Sequence, residues 1–331
     1  MPVTQLHDDV YIIEGTTGDR PMRLPLLLGE DRTLLMDTGH ASDVEALIKP
    51  SLSEVGRSLD DLDLVLTTHP DFDHQGGNAA LKAEVPDVTL ACGDRDRSLI
   101  EDPDVIFNER YDAYREKHDH HYDDETVDFI MDQLGEYQPV DMTFRGGERI
   151  RLGPDWALEV LSLPGHSRGH LGLLDRKHST VYGADAIHGE VYLDNDGNPA
   201  LCPTYLYVRP YLQTIQFLRH LDIDTYVGCH WEVKQGDEVE AFCAESRQYV
   251  RRLTQQILST LKRSDEKTLT ELCHQLGPKM GDWPEEVHHD MCYAVAGHLR
   301  DLTRRGILDE RSDTTPVRYG VRDSLDDRAS E

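Results

Sequence analysis

The stretch Thr67-Thr68-His69-Pro70-Asp71-Phe72-Asp73-His74-Gln75-Gly76-Gly77 places four side chains that can ligate a metal within six residues: His69, Asp71, Asp73 and His74. His69 and Asp71 are two apart, as are Asp71 and Asp73, and Asp73 and His74 are adjacent. In an irregular loop, that spacing aims neighbouring side chains at two separate points. One ion needs three or four ligands, so the cluster suits two ions that share further ligands from elsewhere in the chain. The competing reading is a solvated acidic turn. Position favours chemistry. An apolar run, residues 62–66, reads as a buried strand before the cluster, and Gly-Gly and a helical pattern from Asn78 follow it. A strand-to-loop junction offers reactive groups a rigid support.

Four further stretches extend the pattern: Leu34-Leu35-Met36-Asp37-Thr38-Gly39, Pro164-Gly165-His166-Ser167-Arg168-Gly169-His170, Gly183-Ala184-Asp185-Ala186 and Gly228-Cys229-His230-Trp231. In this order, across about residues 5–235, the five resemble the metallo-β-lactamase superfamily of hydrolases. Its signature HxHxDH is followed by a PGHTxGH segment, a metal-bridging Asp and a final His. One departure stands out: the second His of HxHxDH is Asp71. The resemblance implies a four-layer αββα sandwich with metals at one edge, and two divalent ions per chain. Metal one would take His69, Asp71 and His166; metal two would take Asp73, His74 and His230; Asp185 would bridge them. A water between the ions would be the nucleophile, with Asp73 holding its proton. Asp37 would orient a ligand from behind. His170 would support the site or touch substrate, and His188, just after the bridging loop, likewise. Zinc comes first by family habit. Asp71 supplies an anionic oxygen in place of an imidazole, which favours iron or manganese or leaves metal one weak. Flavodiiron proteins also place an acid there, but no phosphate-binding loop for a flavin is visible.

Three strands over residues 10–14, 24–29 and 33–37 lead to Asp37, and a helix over 42–55 follows. A helix over 79–84 and a strand over 88–92 then suit an α/β layered fold. Residues from about 94 to 137 break the rhythm. They are polar and rich in Tyr, and read as an insertion with helices over 105–117 and 125–134 that caps the site or forms a dimer interface. Within it, His118, His120 and His121 read as an exposed helix end rather than a third metal site. Strands over 149–152, 156–163, 171–174 and 180–182 repeat the first half's logic. Asp194-Asn195-Asp196-Gly197 reads as a tight turn, because the Glu that a calcium loop needs is absent. Tyr205 and Tyr207 are expected to line a substrate pocket near Asp185. A helix over 211–221 and a strand over 225–227 end at His230.

The catalytic domain is therefore read as residues 1–236, and residues 237–331 as a small helical, winged-helix-like module. That module comprises helices over 240–262, 269–275 and 285–304 and a hairpin through Arg318-Tyr319-Gly320-Val321. Between residues 255 and 331 there are 15 acidic and 11 basic residues. Packing or dimerisation is thus preferred over DNA binding.

Across 331 residues, 63 acidic against 34 basic side chains give a net charge of −29. Nucleic-acid and anionic-membrane partners need positive potential and are not expected. Only eight of the basic residues are Lys, which fits a protein from a salty setting or a high-GC genome. Six scattered Cys without a CxxC pair suggest neither a zinc ribbon nor a disulfide framework. With no leader pattern in residues 1–5 and no uncharged run of spanning length, a cytoplasmic location is expected.

The chemistry expected is hydrolysis of a small-molecule ester, thioester or lactone. A phosphodiesterase or nuclease of the same fold is the alternative; a non-catalytic metal scaffold or a diiron redox protein ranks lower. The partner expected is a small-molecule substrate, with a homodimer open.

Overall fold

The computed structural model describes residues 3–262 and 266–322. Seven strands form the first sheet in sequence order: β1 (Val3–His7), β2 (Val10–Thr17), β3 (Arg20–Leu28), β4 (Thr33–Met36), β5 (Leu64–Thr67), β6 (Thr89–Gly93) and β7 (Met142–Phe144). The first four run antiparallel, and β4 to β7 pair in parallel. The second sheet holds β8 (Arg149–Gly153), β9 (Trp156–Ser162), β10 (Leu171–Asp175), β11 (Thr180–Tyr182), β14 (Thr225–Val227) and β15 (Lys234–Gln235). Its order is β15-β14-β11-β10-β9-β8, and only β11 and β14 are parallel. A small hairpin of β12 (Tyr192–Leu193) and β13 (Pro199–Leu201) stands apart.

Three apolar layers make this an αββα sandwich. Leu34, Leu66 and Leu27 of the first sheet meet Leu158, Leu173 and Val227 of the second. On the outer face of the first sheet, Leu26, Leu35 and Val65 pack under Val44, Ile48 and Leu81 of the helical segments. Outside the second sheet, Leu161, Val181 and Tyr226 pack under the helices Val208–Leu218 and Asp237–Lys262. Strands covered on both faces carry near-continuous apolar runs, as in β3.

The insertion is helical but more broken than expected. In place of one helix over 105–117 there are three short pieces, Pro103–Ile106, Phe107–Tyr111 and Arg115–His118, interrupted at Asp112 and closed by Asp119 in a left-handed conformation. The helix Asp124–Leu134 follows, with the Asp123 side chain accepting from the Thr126 N–H.

The C-terminal region runs as helix Asp237–Lys262, β16 (Lys267–Thr268), helix Leu269–Met280, a 3-10 turn Glu285–Met291, helix Cys292–Arg304, β17 (Leu308–Arg311) and β18 (Arg318–Val321), with sheet order β16-β18-β17. The helix expected to stop at residue 275 continues through Gly277-Pro278 to Met280. Pro278 lies in the last turn, two residues before the helix ends, and a Thr268–Glu271 capping box fixes the start. The single helix expected over 285–304 changes from 3-10 to α at Cys292.

This region shares one core with the sandwich: Leu163, Tyr205 and Tyr211 pack in the same cluster as Leu253, Met291 and Tyr293. Residues 1–2, 263–265 and 323–331, which belong to the two expected domains, lie outside the described residues. All six Cys are buried and unpaired. No helix among the described residues is long and apolar enough to cross a membrane.

His118 and His120 correct the expectation of an exposed helix end. Both are buried against the C-terminal region. His118 stacks on Tyr319, and His120 stacks on His289 with ring centroids 3.7 Å apart. Only His121 is exposed, and the three join no ligand cluster among the described residues.

Candidate metal centre

Every candidate ligand sits just beyond a strand, at one edge of the sandwich. β4 delivers Asp37, β5 delivers His69 to His74, the β9–β10 loop delivers His166, β11 delivers Asp185 and β14 delivers His230. Parallel neighbours end at the same edge, so their following loops converge. Gly93 and Gly169 hold two of these segments backbone to backbone: a Cβ on Gly93 would lie 1.9 Å from the Gly169 carbonyl oxygen.

One group gathers His69, Asp71 and His166. Asp71 Oδ2 is 3.0 Å from His166 Nε2 and 3.6 Å from His69 Nε2. The other gathers Asp73, His74, Asp185 and His230. His230 Nε2 is 3.4 Å from Asp73 Oδ2 and 3.5 Å from Asp185 Oδ2; His74 Nε2 is 3.9 Å from Asp73 Oδ1 and 3.8 Å from Asp185 Oδ1. Asp185 also falls within reach of His166. The structure thus brings all seven expected ligands together.

The far sides of the rings are held. Asp37 accepts from His74 Nδ1 at 2.8 Å, from the Thr68 N–H at 2.7 Å and from the Thr68 hydroxyl at 2.8 Å. That hydroxyl oxygen is then free to accept from His69 Nδ1 at 3.0 Å. His230 Nδ1 donates to the Pro21 carbonyl at 2.8 Å. With the protons on Nδ1, the Nε2 lone pairs of His69, His74 and His230 point inward. His69 Nε2, His74 Nε2 and Asp185 Oδ1 are buried with no hydrogen-bond partner. Orphaned acceptors of this kind are costly, and separations of 3.0–3.9 Å suit N and O ligands around one ion at about 2.0–2.2 Å. The residues fit divalent metal ions.

The electrostatics point the same way. Burial would raise the Asp71 pKa, but Arg110 and His166 outweigh it and hold the carboxyl well below its usual range. Burial likewise opposes ionisation of Asp73, and His74 and His230 overcome it. Despite burial, His230 is pushed up to about 9, chiefly by Asp185. His69 lies well below its ordinary value, first through burial and then through the neighbouring His74.

His170 stacks on the His69 ring with centroids 4.9 Å apart, so it packs the ligand from behind and does not face the cavity. His188 is buried near His166 and Asp185 with both ring nitrogens unpartnered, and falls within reach of the centre. Tyr205 departs from expectation. It is fully buried, stacks on Tyr211 and bonds His298 Nε2 through its hydroxyl at 2.8 Å, in the core shared with the C-terminal region. Tyr207 lies on a different cavity beside Arg168, whose Nε donates to its hydroxyl. The tyrosines at the ligand cavity are Tyr111, Tyr122, Tyr192 and Tyr293.

Two residues not singled out from sequence belong to the centre. Cys229 groups with His74, Asp185 and His230; its place beside His230 was the available signal. Arg110, from the insertion, is buried against Asp71. Nothing in its local sequence, Asn-Glu-Arg-Tyr, marks it.

Comparison with known proteins follows the same outline. A hydroxyacylglutathione hydrolase from Thermosynechococcus vestitus is 23% identical over 203 residues, 60% of this chain, and the chain spans 61% of that relative's length. A metallo-β-lactamase family protein from Thermus thermophilus superposes with a TM-score of 0.73 at 20% identity, covering 96% of this chain and 100% of the other. A β-lactamase domain protein from Burkholderia ambifaria gives 0.75 at 16% identity, covering 97% and 93%. The family model of the metallo-β-lactamase superfamily matches residues 25–230. That span runs from within β3 to the loop after β14 and takes in every loop that carries a candidate ligand, and the chain belongs to the metallo-β-lactamase superfamily.

Proposed function

We propose that this protein is a metal-dependent hydrolase of a small-molecule ester, thioester or lactone. The observation that carries the reading is Asp185. It sits between the two ligand groups at the floor of a cavity of about 220 Å³, with unpartnered imidazole nitrogens around it. Asp73, His74, Asp185 and His230 would hold a divalent ion there, which would supply an activated water and Lewis-acid polarisation of the bond to be cleaved. Tyr192 donates to Asp185 Oδ2 at 3.1 Å and fixes its orientation. Asp73, whose ionised form His74 and His230 favour, would hold the proton of that water.

The cavity walls favour a small organic substrate. Phe72, Tyr111, Tyr192 and Tyr293 give it an apolar, aromatic lining. Arg20 also faces it, and the buried Arg20 Nε has no hydrogen-bond partner among the described residues. A guanidinium at the cavity wall suits an acyl substrate that carries a carboxylate. The helix–strand–helix–helix–hairpin order of the C-terminal region is winged-helix-like. Its excess of acid and its contribution of Val287, Asp290 and Tyr293 to the cavity support a packing and wall-forming role.

The test is a panel of thioesters, lactones, p-nitrophenyl carboxylic esters and p-nitrophenyl phosphodiesters, assayed after loading with zinc, manganese or iron. Turnover of a carboxylic substrate is expected. Asp185→Ala should lower metal content and abolish turnover. Activity on the phosphodiesters alone would replace this reading with phosphoryl transfer.

A further inference from the structure

Arg110 lies inside the first ligand group. It sits on the turn Phe107–Tyr111 of the insertion and is buried. Its Nη2 donates to Asp71 Oδ2 at 2.6 Å, and its Nε lies against Asp71 Oδ1 as an ion pair. The same Nη2 is 3.2 Å from His166 Nε2, and Nη1 is 3.5 Å from the His166 carbonyl. Two of the three side chains that would hold metal one therefore face a guanidinium at their ligating atoms. Tyr293, from the C-terminal region, lies under that guanidinium at 5.3 Å and keeps it from swinging out.

The second group has no such guest. Asp73, His74, Asp185 and His230 meet Asp37, the Pro21 carbonyl and Tyr192, and among the described residues no Lys or Arg is paired with them. An Arg side chain does not give up its proton in a protein. A divalent ion at the first group would meet a fixed like charge within a few ångströms, in a buried setting where screening is weak.

We propose that Arg110 takes the place of the first metal ion: its guanidinium supplies the positive charge that Asp71 and His166 require, and the protein keeps a single tightly bound ion at Asp73, His74, Asp185 and His230. Asp71 and Arg110 work as a pair. A neutral imidazole at position 71 would have no use for the guanidinium, and the carboxylate gives it one. The inference rests on the metal-dependent reading above and narrows it to one tightly held ion.

Metal stoichiometry tests it without reference to turnover. The full chain, stripped with chelator, is dialysed against zinc alone, and bound ions are counted by elemental analysis across a concentration series. Wild type should hold one zinc per chain tightly, with any second ion binding at least 100-fold more weakly. Arg110→Met keeps the length and removes the charge, and should hold two. If it fails to fold, the double variant Asp71→His/Arg110→Met leaves no stranded charge and should also hold two. Two tightly held ions in wild type would overturn the inference while leaving the hydrolase reading intact. One ion in both wild type and the folded variant would overturn it equally. No ion in any form would overturn both readings.

Discussion

Asp37 ends β4 with a positive φ of 65° and accepts from both His74 and Thr68. Asp37→Asn should preserve that backbone, because Asn tolerates the left-handed region. It removes the charge that makes the imidazole a better donor to an ion, so affinity should fall roughly 10–100-fold, as other ligand-supporting changes do; competition with a chelator would measure it. Position 71 is less forgiving than the sequence suggests. Asp71→His reads as a return to the family pattern, yet it strands the buried Arg110. Leaving a buried charge without its partner costs roughly 3–5 kcal/mol. The single variant should melt well below wild type, and Asp71→His/Arg110→Met should recover most of the loss. The gathering of the seven candidate ligands was legible because four lie within six residues and the other three sit in loop motifs that resemble those of the family. Arg110 was not, because it reaches Asp71 through tertiary folding over 39 residues. Tyr205 misled for the converse reason: an aromatic near Asp185 in sequence points into the core that the C-terminal region closes.

The insertion is held by imidazoles. His120 stacks on His289, its Nδ1 is 3.0 Å from the Thr270 hydroxyl, and His118 stacks on Tyr319. Burial pushes His118, His120 and His289 down to about 4. Undocked, each would take up a proton near the ordinary value of about 6.5. Docking is therefore at full strength above about pH 6.5 and weakens as pH falls towards 4, where the released form binds more protons. Hydrogen exchange over residues 112–134 should speed up across that window, and His120→Gln should flatten the profile; an unchanged profile in the variant would remove His120 from the account. Strands and the long helix Asp237–Lys262 were readable from apolar periodicity. Within the insertion the helix over 125–134 was readable as well, whereas the one expected over 105–117 breaks into three short pieces.

A net charge of −29 dominates the molecule's outer field. Repulsion among exposed carboxylates opposes compaction and is screened by salt. The melting temperature should rise between about 0.05 and 1 M KCl, most steeply at the low end where the screening length shortens from above 10 Å; a flat curve would show that local pairs already balance the charge. The sandwich itself was foreseeable, because buried parallel strands read as apolar runs and their loops as polar motifs. The single core joining the C-terminal region to the sandwich was not, since an amphipathic helix does not name the face it will meet. One outcome of that union concerns descent. The cavity floor belongs to the sandwich, while Tyr111, Tyr122 and Phe129 come from the insertion and Val287 and Tyr293 from the appended region. Apart from Arg110, which the insertion lends to the metal centre, reactivity and discrimination are thus written on separate lengths of chain. A lineage could trade one diet for another by rewriting the borrowed walls, with the machinery beneath them passed on untouched.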